Sequence, residues 1–294
     1  LGVNLTPKKA CTLDCIYCQL GKTTKKTVKR FFYVDIVEFK KELAKIISSK
    51  PKIDYVSISG SGEPTLHKRL DKIIGAIKDV SGNKYPVAVI TNSSLLYKKE
   101  VRRELAGADL IIPSLDAATK KSFHLVDYPH KQITFQKIIG GLVKLRKEFK
   151  GKIWLEIMLL GGVNDSLDEA RKFKKLVDKI SPDKVQLNLP VRPSGANVTL
   201  PAHERVKKIK KIIGKKCEIV ASFYKNAQQK FSQSVQQDIL KYLNIRPATI
   251  RDLEKSTGLK KHLLTRQIKK MLNLGVVMKK IYNSKVYFVC DRAS

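Results

Sequence analysis

Cys11, Cys15 and Cys18 stand within eight residues, spaced Cys-x3-Cys-x2-Cys, directly after a strand-like run. Cysteine thiolate is the preferred protein ligand of iron–sulfur clusters, and three thiolates on one short loop can reach three irons of a four-iron (4Fe-4S) cluster. No fourth cysteine is near; Cys217 and Cys290 stand alone and read as buried apolar residues. One iron is therefore open to a small molecule, and the amine and carboxylate of an amino acid can chelate it. If that molecule is S-adenosylmethionine, its sulfonium lies beside a one-electron donor. Reduction then breaks a carbon–sulfur bond and yields a 5′-deoxyadenosyl radical, chemistry that the cofactor carries. The competing assignment is zinc held by these cysteines and a distant histidine, but a second Cys-x2-Cys unit, usual in zinc sites, does not occur.

Further polar motifs follow other apolar runs. In Ser59-Gly60-Ser61-Gly62-Glu63-Pro64-Thr65 the small residues let backbone approach a ligand closely, and Glu63 offers an acceptor for an ammonium group. A tight strand-to-helix turn is the alternative. Asn92 and Ser93 follow Thr91, and Ser114 and Asp116 flank Leu115. Short polar side chains there can bond ribose hydroxyls and a carboxylate, or simply cap helices. Gln186, Asn188 and Arg192 alternate toward one face, with Asn188 expected inside the sheet's curve and Arg192 on ligand or substrate. No residue stands out as radical relay or general base.

These motifs need a frame. Apolar runs of strand length occur at Gly2–Leu5, Ile53–Ser59, Val87–Thr91, Leu110–Leu115, Ile153–Leu160, Val185–Pro190 and Glu218–Ala221. Helical patterns lie between them, such as Ile36, Phe39, Leu43, Ile46 and Ile47, and the stretch Leu167–Ile180. Near-continuous apolar strands with helical crossovers predict an α/β fold on a parallel sheet, as a full or partial (β/α)6 barrel or an open sheet. In barrels, chemistry sits at the C-terminal ends of the strands, where the polar motifs fall.

The pattern changes near residue 222. Residues 1–222 read as the α/β domain, 223–233 as a linker and 234–294 as a small second domain. In the last, helices over Val235–Leu243, Thr249–Ser256 and Lys261–Leu274 precede a hairpin of Val276–Ile281 and Lys285–Val289. That order fits a winged helix-turn-helix. On its third helix Leu264, Ile268, Met271 and Leu272 form a core stripe, while Lys261, Thr265, Arg266, Lys269 and Lys270 fall mostly opposite, and Lys279, Lys280 and Lys285 mark the wing. A basic face of this kind suits phosphates.

The net charge of +33 points to a polyanionic partner, nucleic acid first, although a lysine-rich proteome would also produce it. A 43% hydrophobic content is that of a globular chain, and no apolar run is long enough to span a membrane. The sequence shows no basic-then-apolar leader with a cleavage site, so the expectation is a cytoplasmic protein.

The three-cysteine spacing resembles the radical S-adenosylmethionine superfamily, over roughly residues 1–220. The resemblance implies a partial barrel, a 4Fe-4S cluster on Cys11, Cys15 and Cys18, and S-adenosylmethionine as the molecule on the open iron. It implies that Tyr17, the aromatic residue before the last cysteine, packs near the adenine. It also implies that Ser61, Gly62 and Glu63 meet the methionine amino group, with Ser61 standing for a glycine, and that Asn92, Ser114 and Asp116 contact the cofactor. Gly161-Gly162-Val163-Asn164-Asp165 resembles the family's loop over the adenine. An electron donor such as ferredoxin or flavodoxin is implied as well. Pro7-Lys8-Lys9-Ala10 and Gln19-Leu20-Gly21, around the cysteines, look like the wyosine-type transfer-RNA modifying branch. In that branch an arginine commonly stands where Tyr128 precedes Pro129, and a second cluster is held by cysteines upstream.

Three functions follow as expectations: a radical enzyme modifying RNA, a radical enzyme acting on a protein or peptide, and a DNA-binding regulator that senses redox state or S-adenosylmethionine. The intact cysteine set with Glu63 and Asp116 favours an enzyme, and the charge favours RNA.

Overall fold

A computed structural model of the chain describes residues 1–49, 51–192, 194, 196, 198–220 and 235–290. In chain order the strands are β1 (Gly2–Val3), β2 (Ala10–Cys11), β3 (Lys25–Lys26), β4 (Val56–Ile58), β5 (Val87–Thr91), β6 (Leu110–Pro113), β7 (Lys152–Met158), β8 (Lys184–Asn188), β9 (Cys217–Ile219), β10 (Val277–Tyr282) and β11 (Lys285–Cys290). The helices are α1 (Ile36–Ser48), α2 (Leu70–Ser81), α3 (Lys99–Glu104), α4 (Lys120–Asp127), α5 (Phe135–Glu148), α6 (Leu167–Ile180), α7 (His203–Ile213), α8 (Val235–Ile245), α9 (Ile250–Thr257) and α10 (Lys261–Asn273).

One seven-stranded sheet has the order β1-β4-β5-β6-β7-β8-β9, and every pairing in it is parallel. Helices lie in each of its crossovers, so six β/α units are followed by a last strand, β9. β1 and β9 stand at opposite ends of that order, which makes the barrel partial. The strands are apolar on both faces because helices cover one side and the barrel interior the other. Val56, Ile58, Val89, Ile111, Leu155 and Leu187 are fully buried in the same core as Ile77, Leu142 and Phe173 of the helices.

Local chemistry sets the element ends. Asp35 caps α1 by accepting from the Val37 and Glu38 amides, and Ser166 caps α6 by accepting from Glu169. Gly82, at φ 57°, ends α2 in the left-handed region that glycine tolerates. The observed strands are shorter than the apolar runs: Gly2–Val3 in place of Gly2–Leu5, and Val56–Ile58 in place of Ile53–Ser59. The extra apolar residues continue into the core without ladder bonds, since Leu5 is 2% exposed. The ladder between β2 and β3 was not foreseen.

Helices α8, α9 and α10 precede the β10–β11 hairpin, whose turn residues Asn283 and Ser284 both have positive φ, as a tight two-residue hairpin needs. Ile239, Leu243, Leu253, Leu264, Ile268, Met271 and Phe288 form a core of their own, separate from that of the barrel. Bonds that join this segment to the loop after β8 include Arg192 Nη1 to Pro247 O at 2.7 Å, Tyr287 OH to Val191 O at 2.5 Å and Tyr282 OH to Val198 O at 2.7 Å. The expected linker at 223–233, and Ala221 at the end of the last apolar run, lie outside the described residues. Among the described residues no helix is long and apolar enough to cross a membrane.

Candidate functional site

The loop carrying Cys11, Cys15 and Cys18 follows β1 at the C-terminal end of the sheet and is clamped from three directions. On the first, Lys9 N donates to Ser61 O at 2.6 Å and Glu63 N to Ala10 O at 3.0 Å. Asn4 Oδ1 accepts from Ser61 N at 3.1 Å. A Cβ on Gly62 would lie 2.0 Å from the Ala10 carbonyl, and one on Gly60 would lie 2.1 Å from Asn4 Oδ1. Gly62 is therefore needed for the cysteine loop to seat against the loop after β4, while Gly60 leaves room for the Asn4 side chain. On the second side, β2 pairs with β3 in parallel and Thr27 N donates to Cys11 O at 2.9 Å. On the third, Asp14 N donates to Asp127 O, Ile16 N to Val126 O and His130 N to Thr12 O, each at 2.9 Å. The Asp127–His130 stretch thus braces the cysteines.

The three sulfurs are free thiols, each half-buried. Lys9 Nζ donates to Cys18 Sγ at 3.2 Å, Asn92 Nδ2 to Cys11 Sγ at 3.4 Å, and Cys15 Sγ to Asp127 Oδ1 at 3.3 Å. Burial, then the Glu63 charge and Cys18, pushes the Cys11 thiol up to about 11, with Lys9 opposing. Cys15 is held well above the usual thiol range by burial, then by Asp127 and the other two cysteines. Cys11 and Cys15 therefore feel the charge of neighbouring sulfurs, and at Cys11 a backbone donor at Leu13 and then Lys9 offset it. Such a set favours a cationic centre that displaces the thiol protons, and soft sulfur donors select iron–sulfur clusters among such centres. Among the described residues no three His, Cys, Asp or Glu side chains can share a single ion. A cluster does not require that, because it takes one sulfur per iron.

Glu63 is turned inward. Its Oε1 accepts from Thr65 N at 3.0 Å, Thr65 Oγ1 at 2.5 Å and Thr91 Oγ1 at 2.6 Å, and its Oε2 from Asn92 N at 2.8 Å. These donors tie Glu63 across the ends of β4 and β5, three on Oε1 and one on Oε2, so Oε2 keeps an acceptor site for an ammonium group. Burial still raises its pKa against these donors. Asn92 reaches the cysteine loop through Cys11 and through Thr12 Oγ1 at 2.9 Å.

Asp116 follows β6. Its Oδ2 accepts from Tyr17 OH at 2.5 Å and its Oδ1 from Met158 N at 2.7 Å. Burial raises its pKa to about 6, with those two donors opposing. Asn164, 1% exposed, donates to the Asp116 and Met158 carbonyls and accepts from Leu160 N, so the 161–165 loop locks the end of β7 onto Asp116. Ser114 bridges to Glu156, and its carbonyl accepts from Ser93 Oγ at 2.7 Å. Asn188 Nδ2 reaches Glu156 Oε2 at 3.4 Å. Burial and then the Asp116 charge push Glu156 up to about 7, with Asn188 opposing. Asp127 is raised well above the carboxylate range by burial, then by Asp116.

Cys11, Cys15, Cys18, Tyr17, Asn92 and Asp116 thus fall in one connected site, with Ser61 and Gly62 beneath the cysteine loop and Ser114 and Asn188 reaching it through Glu156. Arg192 does not join them. It is half-buried against Pro247 and Asp252, where a ligand contact was expected. Lys9, Asp127 and Glu156 were missed. Glu156 had a signal, a charged residue within the apolar run Ile153–Leu160. Cys217 is buried on β9, burial pushing its thiol up to about 12, as an apolar role requires.

A family model described as the radical SAM superfamily matches residues 5–173. A protein of Brachyspira hyodysenteriae named GTPase Obg is 38% identical over 99% of this chain, which spans 43% of that protein's length. A UPF0026 protein of Methanocaldococcus jannaschii is 32% identical, over 98% of this chain and 91% of that protein. The crystal structure of a radical SAM methyltransferase from Sphaerobacter thermophilus superposes with a TM-score of 0.58 at 17% identity, covering 74% of this chain and 65% of that one, a likeness of fold.

Proposed function

The chain belongs to the radical SAM superfamily, and from that premise we propose that it is a radical enzyme modifying RNA, transfer RNA foremost. Membership brings a 4Fe-4S cluster and S-adenosylmethionine. When bound, the cluster supplies the electron that splits S-adenosylmethionine into methionine and a 5′-deoxyadenosyl radical. In this reading Cys11, Cys15 and Cys18 hold the cluster and Lys9 balances thiolate charge beside it. Asn92 keeps the cysteine loop against β5. Asp116 presents a carboxylate to the nucleoside portion, and the Tyr17 ring stands beside it. Asp116 and Glu156, raised to about 6 and about 7, can hold or release a proton near neutral pH.

The observation that carries the RNA reading is a cleft of about 480 Å³ between the cysteine loop and the C-terminal segment. Lys8, Lys9, Lys22, Arg246 and Lys280 line it, with no acidic residue among the lining. Gln19, Gly21 and Lys22 form one wall, so a phosphate chain held there would run past Cys18. We read α8–α10 and the hairpin as a winged helix, and Lys261, Arg266, Lys269 and Lys270 of α10 are all exposed. The wyosine-type branch remains our choice for the closest chemistry, with Tyr128 exposed where arginine is common.

The test is mass spectrometry of transfer RNA from cells with and without the gene, alongside anaerobic turnover. We expect one nucleoside to disappear in the deletion strain and 5′-deoxyadenosine to form with purified protein and reductant. Unchanged transfer RNA with an altered peptide would move the substrate to protein. Absence of 5′-deoxyadenosine from cluster-loaded protein would end the enzyme reading.

A further inference from the structure

The segment after the cysteine loop carries a surface that the proposed chemistry does not use. Phe31 and Phe32 are 42% and 70% exposed, unusual for adjacent aromatic side chains. They border an open groove of about 660 Å³ that also takes in Lys29, Lys68, Arg69 and Lys98. The acids of this groove are spoken for: Glu104 pairs with Arg30 and Glu100 with Lys98. Arg69 pairs with Asp71 beside it. Among the described residues Lys25, Lys29 and Lys68 have no carboxylate partner, so the surface is a net cationic one backed by two rings.

Its position matters more than its charge. Lys25 opens β3, which pairs directly with the Cys11 strand, and Cys11 stands opposite Lys26. The Lys25 ammonium lies 5.3 Å from the Phe31 ring centre. Phe31 is held by bonds to the loop after Glu63: its amide donates to Leu66 O at 2.9 Å, and its carbonyl accepts from Lys68 N at 2.8 Å. One strand pairing therefore separates this surface from a cluster ligand.

We propose that this groove is the docking surface for a small acidic one-electron carrier protein. The proposal rests on Cys11 holding the cluster. Reductive cleavage of S-adenosylmethionine takes one electron from a reduced cluster, the electron that reduces the cluster comes from outside the chain, and electron transfer falls off steeply with distance. A carrier seated on Phe31 and Phe32 is oxidised by one electron beside Cys11. Complementary charge steers and orients such a carrier. RNA fits less well, because one face of each ring already bears a lysine, with Lys68 Nζ 5.6 Å from the Phe32 ring centre. The surface offers cations supported by rings, where base stacking needs bare faces.

The experiment compares wild type with Phe32→Ala and with the double variant Lys29→Glu/Lys68→Glu, all on exposed side chains. Affinity for an acidic flavodoxin is measured by calorimetry at low and high salt, and cleavage is driven either by that flavodoxin or by dithionite. We expect salt-sensitive binding that the charge reversal weakens by about tenfold or more. Flavodoxin-driven cleavage should fall by a similar factor while dithionite-driven cleavage stays at the wild-type rate. Unchanged flavodoxin affinity in both variants overturns the proposal, as does loss of transfer-RNA binding with flavodoxin affinity intact. Failure of dithionite-driven cleavage in wild type would count against the radical enzyme, while the binding comparison would still decide the surface.

Discussion

Tyr17 donates its hydroxyl to Asp116 at 2.5 Å, so two residues expected to meet the cofactor meet each other across 99 residues of sequence. Asp116 is buried and Tyr17 half-buried, and burial holds the Tyr17 phenol well above its usual pKa. The bond therefore stays a neutral donor on a carboxylate. A ligand hydroxyl arriving at Asp116 would replace the Tyr17 hydroxyl as donor, freeing the ring to pack against an aromatic base.

If Asp116 takes a ribose hydroxyl in this way, Asp116→Asn should weaken S-adenosylmethionine binding by about tenfold or more, the cost of one charged hydrogen bond. Tyr17→Phe should bind no more weakly than wild type, because it removes a competitor. Equilibrium dialysis on anaerobically reconstituted protein reads both. A weaker Tyr17→Phe would mean that the hydroxyl stays on Asp116 in the complex.

The cysteines make an all-or-none prediction. Cys15→Ala should lose bound iron and the cluster's visible absorption together, because two thiolates on one loop leave the cluster under-held. Cys217→Ala should keep both, since Cys217 sits on β9 within the barrel core. Iron and sulfide analysis after reconstitution distinguishes the two.

Gly62→Ala tests how the cysteine loop is seated. Its new Cβ would lie 2.0 Å from the Ala10 carbonyl, a backbone atom that cannot turn aside. We expect about 2–3 kcal/mol lower stability in denaturant titration, and poorer cluster loading in the protein that remains folded. Gly75→Ala is the control, as nothing lies within 4 Å of the added carbon.

Glu156 supplies a pH signature. Its folded pKa of about 7 lies above the ordinary 4.5, so the folded state holds its proton more tightly than the unfolded state. Its stabilising effect is complete below about pH 4.5 and is lost as pH rises through about 7. Glu156→Gln should remove that fall and exceed wild type in stability at pH 8 by up to about 3 kcal/mol. Urea titrations of the cluster-free protein at pH 5 and pH 8 measure the difference.

The frame was legible because its signals are local. Val87–Thr91 and Leu167–Ile180 come out residue for residue, one as an unbroken apolar run and the other as a capped amphipathic helix. The cysteine spacing is also local. Partnerships between distant segments were not legible. The bond from Thr91 to Glu63 spans 28 residues, and Asp127 had no signal of its reach to Cys15, 112 residues earlier. Arg192 looked like a ligand contact because its alternation with Asn188 stops mattering once the chain leaves β8. There it meets Pro247 and Asp252 of the following segment.

The three-sided clamp on the cysteine loop also orders events in time. The cysteines are among the first of these residues to leave the ribosome, but Ser61, Asn92 and the Asp127–His130 brace follow by 50 to 119 positions. Until His130 has emerged, the triplet is an exposed tether of thiols without its walls. Insertion of iron and sulfide is thus a late step of maturation, and a chain stalled before residue 130 would present reactive cysteines that oxidation reaches before the cluster does.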